Sequence, residues 1–198
     1  MAATVVVQEI NGPSGSKTYT TITSARFCTS DTYNPGTDYP IPIPESGFNY
    51  SYWKHFCLDI SGTFTKVYDI KFYGPSTIDW GLGTGGEVRV GQRDSGDHGC
   101  PHDTTYHGED QYAQASGTEG ETGYPIEDDT NGHPYYRTQT TPVVDVTTYT
   151  SSNKMQVDSN EYTSAAKSKA VVLQVKVASD ATPGAKSAVT FTFEYSEI

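Results

Sequence analysis

Cysteine, basic charge, aliphatic runs and helical periodicity are all scarce in this chain. The three cysteines, Cys28, Cys57 and Cys100, are an odd number and too few to frame a disulfide-stapled fold. Three reduced thiols, or one pair and one free thiol, remain. Lysine and arginine number 13 against 24 aspartates and glutamates, a formal charge of -11. That balance argues against a sequence-independent nucleic-acid binder, which needs cations facing phosphates, and against electrostatic docking on anionic lipid. No apolar run approaches the roughly 20 residues of a membrane-spanning helix. The opening MAATVVVQEI lacks a basic segment followed by an apolar one, so no secretory signal is read and synthesis in the cytoplasm is expected. No segment keeps apolar residues at i, i+3, i+4 and i+7, which removes the basis for a helical core. There is no internal repeat.

Glycine (19), proline (11) and tyrosine (15) are plentiful instead, and short alternating runs lie between them. The richest stretch is Phe48 to Gly91. Phe48, Tyr50, Tyr52, Phe56, Leu58 and Ile60 fall on even positions, with Asn49, Ser51, His55, Cys57 and Asp59 between. Successive strand side chains point to opposite faces, so this spacing predicts one apolar and one polar face, with Cys57 outward. Tyr68, Ile70 and Phe72 repeat the pattern, and Val88 and Val90 flank Arg89 in a third run. These three strands are expected to form the centre of one antiparallel sheet. Val5–Val7 reads as the start of an edge strand, and residues 18–27 and 142–149 as further strands. Residues 164–169 suggest a helical turn. The alternating 171–177 and 189–195 close the chain. The fold class predicted is all-β: a single antiparallel β-sandwich over 1–198, Ig-like or jelly-roll-like.

Two stretches break the pattern. Between Ser30 and Gly47 the chain carries Asn34-Pro35-Gly36 and then Tyr39-Pro40-Ile41-Pro42-Ile43-Pro44. Alternate prolines cannot donate ladder hydrogen bonds and favour an extended, polyproline-like path. Such a path lies over the protein's own sheet or across a neighbour, with Tyr39, Ile41 and Ile43 as contact residues. Residues 92–141 form a long insertion with hardly an aliphatic residue beyond Ile126. Connections run about 4–6 residues, so a fifty-residue loop demands a special reason. Its tyrosines, Tyr106, Tyr112, Tyr124, Tyr135 and Tyr136, suit contacts with other molecules, because each offers apolar area with a polar tip. Ordering by contacts outside its own subunit is expected.

Candidate chemistry is sparse. His98, Cys100, His102 and His107 are good zinc or copper ligands within ten positions, but their spacing fits no standard zinc pattern. The plain alternative is a polar loop. Glu127-Asp128-Asp129-Thr130-Asn131-Gly132 is the best calcium candidate, without the full EF-hand pattern. Gly81-Leu82-Gly83-Thr84-Gly85-Gly86 leads into a strand rather than a helix and lacks the Lys-Ser/Thr of a phosphate loop, so it reads as a turn. His55, Cys57 and His133 form no recognisable catalytic spacing. No resident cofactor and no enzymatic activity are expected.

Tyr52-Trp53-Lys54-His55-Phe56-Cys57-Leu58-Asp59-Ile60-Ser61-Gly62-Thr63-Phe64-Thr65, continuing through Val67-Tyr68-Asp69-Ile70-Lys71-Phe72-Tyr73 to Leu82-Gly83-Thr84-Gly85, resembles a pattern in small virion proteins of tailed phages. In that pattern an aromatic strand leads to a G-x-F turn, a strand of the form I-x-N-I-K-F-Y and a G-x-G-T-G corner. Asp69 stands here where asparagine is usual, and Gly86 where an apolar residue is. The closing runs 172–175, 181–184 and 190–195 are similar to those proteins and equally to Ig-like domains. The likeness covers about half the chain and skips the insertion. It implies a non-enzymatic structural protein of the virion, a capsid decoration subunit or a tail or neck component. Other virion proteins and further copies of the chain would be its partners, without nucleic acid or membrane. A competing class is an extracellular carbohydrate- or metal-binding sandwich using Trp80, Tyr135, Tyr136 or the histidine loop.

Overall fold

The computed structural model describes residues 2–11, 18–91, 125–126 and 143–198. Eleven strands make two antiparallel sheets: β1 Ala3–Asn11, β2 Thr18–Thr21, β3 Phe48–Tyr50, β4 Lys54–Gly62, β5 Val67–Tyr73, β6 Glu87–Gly91, β7 Val144–Asp145, β8 Met155–Asp158, β9 Ala166–Lys167, β10 Val171–Ala178 and β11 Thr192–Glu197. One 3-10 turn, Val146–Thr148, is the only helical element among the described residues. The larger sheet runs β2-β1-β4-β10-β6-β7, with β3 also on β10 and β9 also on β4; the smaller runs β11-β5-β8. No helix among the described residues is long and apolar enough to cross a membrane.

The core lies between the sheets. Phe56, Leu58 and Ile60 of β4, Val88 and Val90 of β6 and the odd positions 171–177 of β10 face Val67, Ile70 and Phe72 of β5 and Met155 and Val157 of β8. Each such side chain, fully buried, contributes about 1.5–3 kcal/mol. Phe72 is clamped by Phe193 edge-on at 5.2 Å and Phe191 stacked at 5.9 Å. At one flank the Ala3 amide donates to Glu197 Oε1 at 2.5 Å, tying β1 to β11 across the sandwich.

Several expectations are corrected. The three runs between Phe48 and Gly91 do not pair with one another. β10 separates β4 from β6, and β5 crosses to the other sheet. Alternation fixes which face of a strand is greasy, not which strand lies beside it. Cys57, expected outward, is buried with His55, because the outer side of the larger sheet is itself covered. Ile10, Cys57 and Ala170 pack with Tyr19 there, and Trp53, Val143 and Val172 with Ile126. β1 is an edge only over its first half, since β2 pairs Gln8–Asn11. The helical turn expected over 164–169 is instead the short strand β9, paired with Asp59 and Ile60 of β4. The run expected over 18–27 is a strand only as far as Thr21.

In β5, Val67 and Ile70 are both buried, a spacing of three rather than two. Asp69, at φ +55°, supplies the extra residue: three steps from Tyr68 to Lys71 lie opposite two from Glu194 to Ser196. Aspartate and asparagine tolerate this left-handed geometry better than other non-glycine residues. The bulge therefore accounts for a short amide or acid at that position.

Candidate functional site

The segment 28–47 forms a strap between β2 and β3, and it is gripped by its backbone. The Thr29 amide donates to the Tyr39 carbonyl at 2.9 Å, Tyr52 N to Cys28 O at 2.8 Å, and Asp38 N to Pro35 O at 2.9 Å. Side chains finish the grip. Asn49 Nδ2, at the start of the next strand, donates to Pro42 O at 2.8 Å. Thr29 Oγ1 donates to Tyr39 O at 3.4 Å. Arg26 donates to Gly36 O and Lys54 to Thr32 O. Proline has a carbonyl to offer but no amide, so donors must come from elsewhere; here they come from the strap's own base and the sheet. Tyr39 sits at φ +53°, unfavourable for a bulky residue, and the two bonds from Thr29 to its carbonyl hold it there.

With the backbone held, the side chains face out. Tyr33, Tyr39, Ile43 and Phe48 are 49%, 40%, 38% and 36% exposed; the other large exposed hydrophobics among the described residues are Tyr195 and Ile198. The strap and its junction with β3 thus carry four of the six. Of the expected contact residues, Tyr39 and Ile43 are presented to solvent, while Ile41 packs against the sandwich core and acts as an anchor. Phe48, whose even position predicts a core residue, is at the surface with Lys176 Nζ over its ring at 4.1 Å. Tyr33 is marked in the sequence only as one more loop tyrosine. Asp31, Asp38 and Glu45 accompany the strap, and its neighbouring cation, Arg26, is spent on Gly36.

Beneath the strap lies a polar cluster that alternation conceals. Lys54 and Glu9 face the sandwich interior and pair at 2.6 Å, with 1% and 0% of their side chains exposed. Asn11 Nδ2 donates to Glu9 Oε1 at 3.1 Å and to Asp31 Oδ1 at 2.8 Å. A signal for it exists in the sequence: Lys54 interrupts the even apolar series before Phe56, and Val5 and Val7 give way to Glu9 and Asn11 on the same face of β1. Cys28 is buried beside this cluster, and burial pushes its thiol up, outweighing the lowering by Lys54. A thiol so placed stays protonated and unreactive.

Pro125–Ile126, from the long insertion, is the one part of it described. Ile126 is fully buried against Trp53, Val143 and Val172, and its amide donates to Gln174 Oε1 at 3.2 Å. At this point the insertion is held on its own sandwich. His98, Cys100, His102, His107, Tyr106, Tyr112, Tyr124, Tyr135, Tyr136, His133 and the calcium candidate 127–132 lie outside the described residues. Among the described residues no group of three or more His, Cys, Asp or Glu is placed to hold a metal ion.

The glycine corner behaves as a turn. Gly81, Gly83 and Gly85 have positive φ, and a Cβ at Gly83 would sit 2.9 Å from Ala181 N. Thr84, at its centre, spends N and Oγ1 on Asp180 at 2.8 and 2.6 Å, holding that carboxyl below its ordinary value. Trp80, considered for sugar stacking, donates Nε1 to Ser187 O at 2.8 Å and meets Phe27 edge-on. No protein-family model, curated protein or solved structure matches the chain.

Proposed function

We propose that the chain is a non-catalytic structural subunit of a tailed-phage virion, which decorates the shell from outside and docks through the strap. The observation that carries this reading is the strap itself: a backbone gripped from below and four large apolar side chains held out. A segment ordered before it meets a partner loses little entropy on docking. Tyrosine and proline supply contact area that is stiff from the start. The acidity suits an outer rather than a DNA-facing position. Many modest contacts repeated over a lattice add up to a strong attachment.

The test is to mix the purified chain with expanded shells lacking it and follow binding and shell melting. Saturable binding with a raised melting temperature supports the reading. Co-purification with tails and no binding to shells would move the protein to a tail or neck position. Saturable binding to a glycan array by the isolated monomer, with no binding to virion parts, would replace the structural role by carbohydrate recognition.

A further inference from the structure

The cluster under the strap brings together a nucleophile, a proton carrier and an amide in a dry place. β1 and β4 pair antiparallel with Glu9 opposite Phe56 and Ile10 opposite His55. Extending that register by one step would set Asn11 against Lys54, the last and first residues of their strands. Directly opposed residues have Cβ atoms about 4.5–5.5 Å apart, within easy reach of a lysine. Glu9 touches both: its Oε1 lies 2.6 Å from Lys54 Nζ and 3.1 Å from Asn11 Nδ2. All three are buried, at 1%, 0% and 7% exposure for Lys54, Glu9 and Asn11. Two atoms there have no hydrogen-bond partner, Glu9 Oε2 and Asn11 Oδ1, and both are acceptors. A proton on Glu9 Oε2 would turn one of these acceptors into a donor.

We propose that Lys54 and Asn11 condense to an isopeptide bond across β1 and β4, with Glu9 carrying the proton. Glu9 takes a proton from the Lys54 ammonium, and the neutral amine attacks Asn11 Cγ. A buried pair is less costly as neutral amine and carboxylic acid, relative to the ion pair, than the same pair in water. Protonated Glu9 is an O–H donor for the amide being attacked. As the tetrahedral adduct collapses, the new Cγ–Nζ bond stays and the Cγ–Nδ2 bond breaks. Nδ2 leaves with the two protons shed by Nζ, so that an ammonium ion and a secondary amide replace the lysine ammonium and the asparagine amide. Glu9 returns to carboxylate. Nothing is oxidised or reduced, and no co-reactant is needed. Asp31 Oδ1, 2.8 Å from Nδ2, accepts from the leaving nitrogen. Cys28, the other nucleophile nearby, remains a thiol for the reason given above. The link would staple the first strand to the centre of the larger sheet, beneath the strap. It stands or falls independently of the virion reading.

Intact-mass measurement of the denatured full chain tests it. The expected mass is that of the encoded chain less one ammonia. In a protease digest the peptides containing Asn11 and Lys54 travel as one branched species. Lys54→Arg, Asn11→Ala and Glu9→Gln each restore the full mass. Asn11 precedes Gly12, and succinimide formation at that pair also expels ammonia. It leaves the two peptides separate and is indifferent to Lys54. Full encoded mass in the folded wild-type chain overturns the proposal, as does an ammonia loss that persists in Lys54→Arg. Because the branched peptide is sought in the wild-type chain, the result does not depend on whether a variant folds.

Discussion

The strap and the Pro125–Ile126 anchor solve one problem in opposite ways. Each orders irregular chain on the sandwich. In the strap, donors from the sheet and the strap's base hold carbonyls at Thr32, Gly36, Tyr39 and Pro42, which frees Tyr33, Tyr39 and Ile43 to face outward. At the anchor the side chain does the holding: Ile126 is buried, with one amide bond to Gln174. A segment fastened by its backbone can offer its side chains to a partner. One fastened by a buried isoleucine has spent that side chain on its own sandwich.

That contrast can be broken from either side. Lys54→Met should have the largest effect, because it leaves Glu9 buried and uncompensated; breaking such a pair costs about 3–5 kcal/mol. Urea denaturation reads it, and adding Glu9→Leu should recover the share due to the stranded carboxylate, while the share due to a lost Lys54–Asn11 link stays lost. Ile126→Ala should cost about 2–5 kcal/mol by the cavity it opens under Trp53, with faster proteolysis of the insertion. Serine at Tyr33 and Ile43 together should shift stability by less than about 1 kcal/mol, since exposed positions change it little. The same pair should abolish shell binding. If instead it unfolds the strap, those side chains hold the segment and the contrast is void.

The smallest effect is an acid step at the glycine corner. The folded Asp180 carboxyl is held below its ordinary value by Thr84. Its contribution is therefore complete above the unfolded value and is lost as pH falls through the folded one. The Thr84 amide resonance should titrate in that acid range, and Asp180→Asn should remove the step.

Much of the sandwich is legible in the sequence because period-two alternation reports faces. Ile70 and Phe72, the odd positions of β10 and the pair Val88 and Val90 all point where the pattern says. Pairing is not legible, since β4 and β5 look alike yet belong to different sheets. Nor is the covering of the outer face, which buries Cys57 and His55 where they stand. Residues 166–167 become a strand through contact with β4, a tertiary effect that local preference does not carry. For the strap, the proline spacing predicts the extended path. Which side chains face out depends on where the donors lie. Ile41 and Ile43 share their chemistry and flanking prolines, yet one is an anchor and the other is presented.

Amide hydrogen exchange on the free chain and on the chain mixed with expanded shells tests the central claim most directly. Thr29, Asp38 and Tyr52 should already be protected in the free chain, and residues 33–48 should gain protection on the shell while β5 and β11 do not. A strap that exchanges freely in isolation, or a shell footprint that lies elsewhere on the sandwich, would contradict the account.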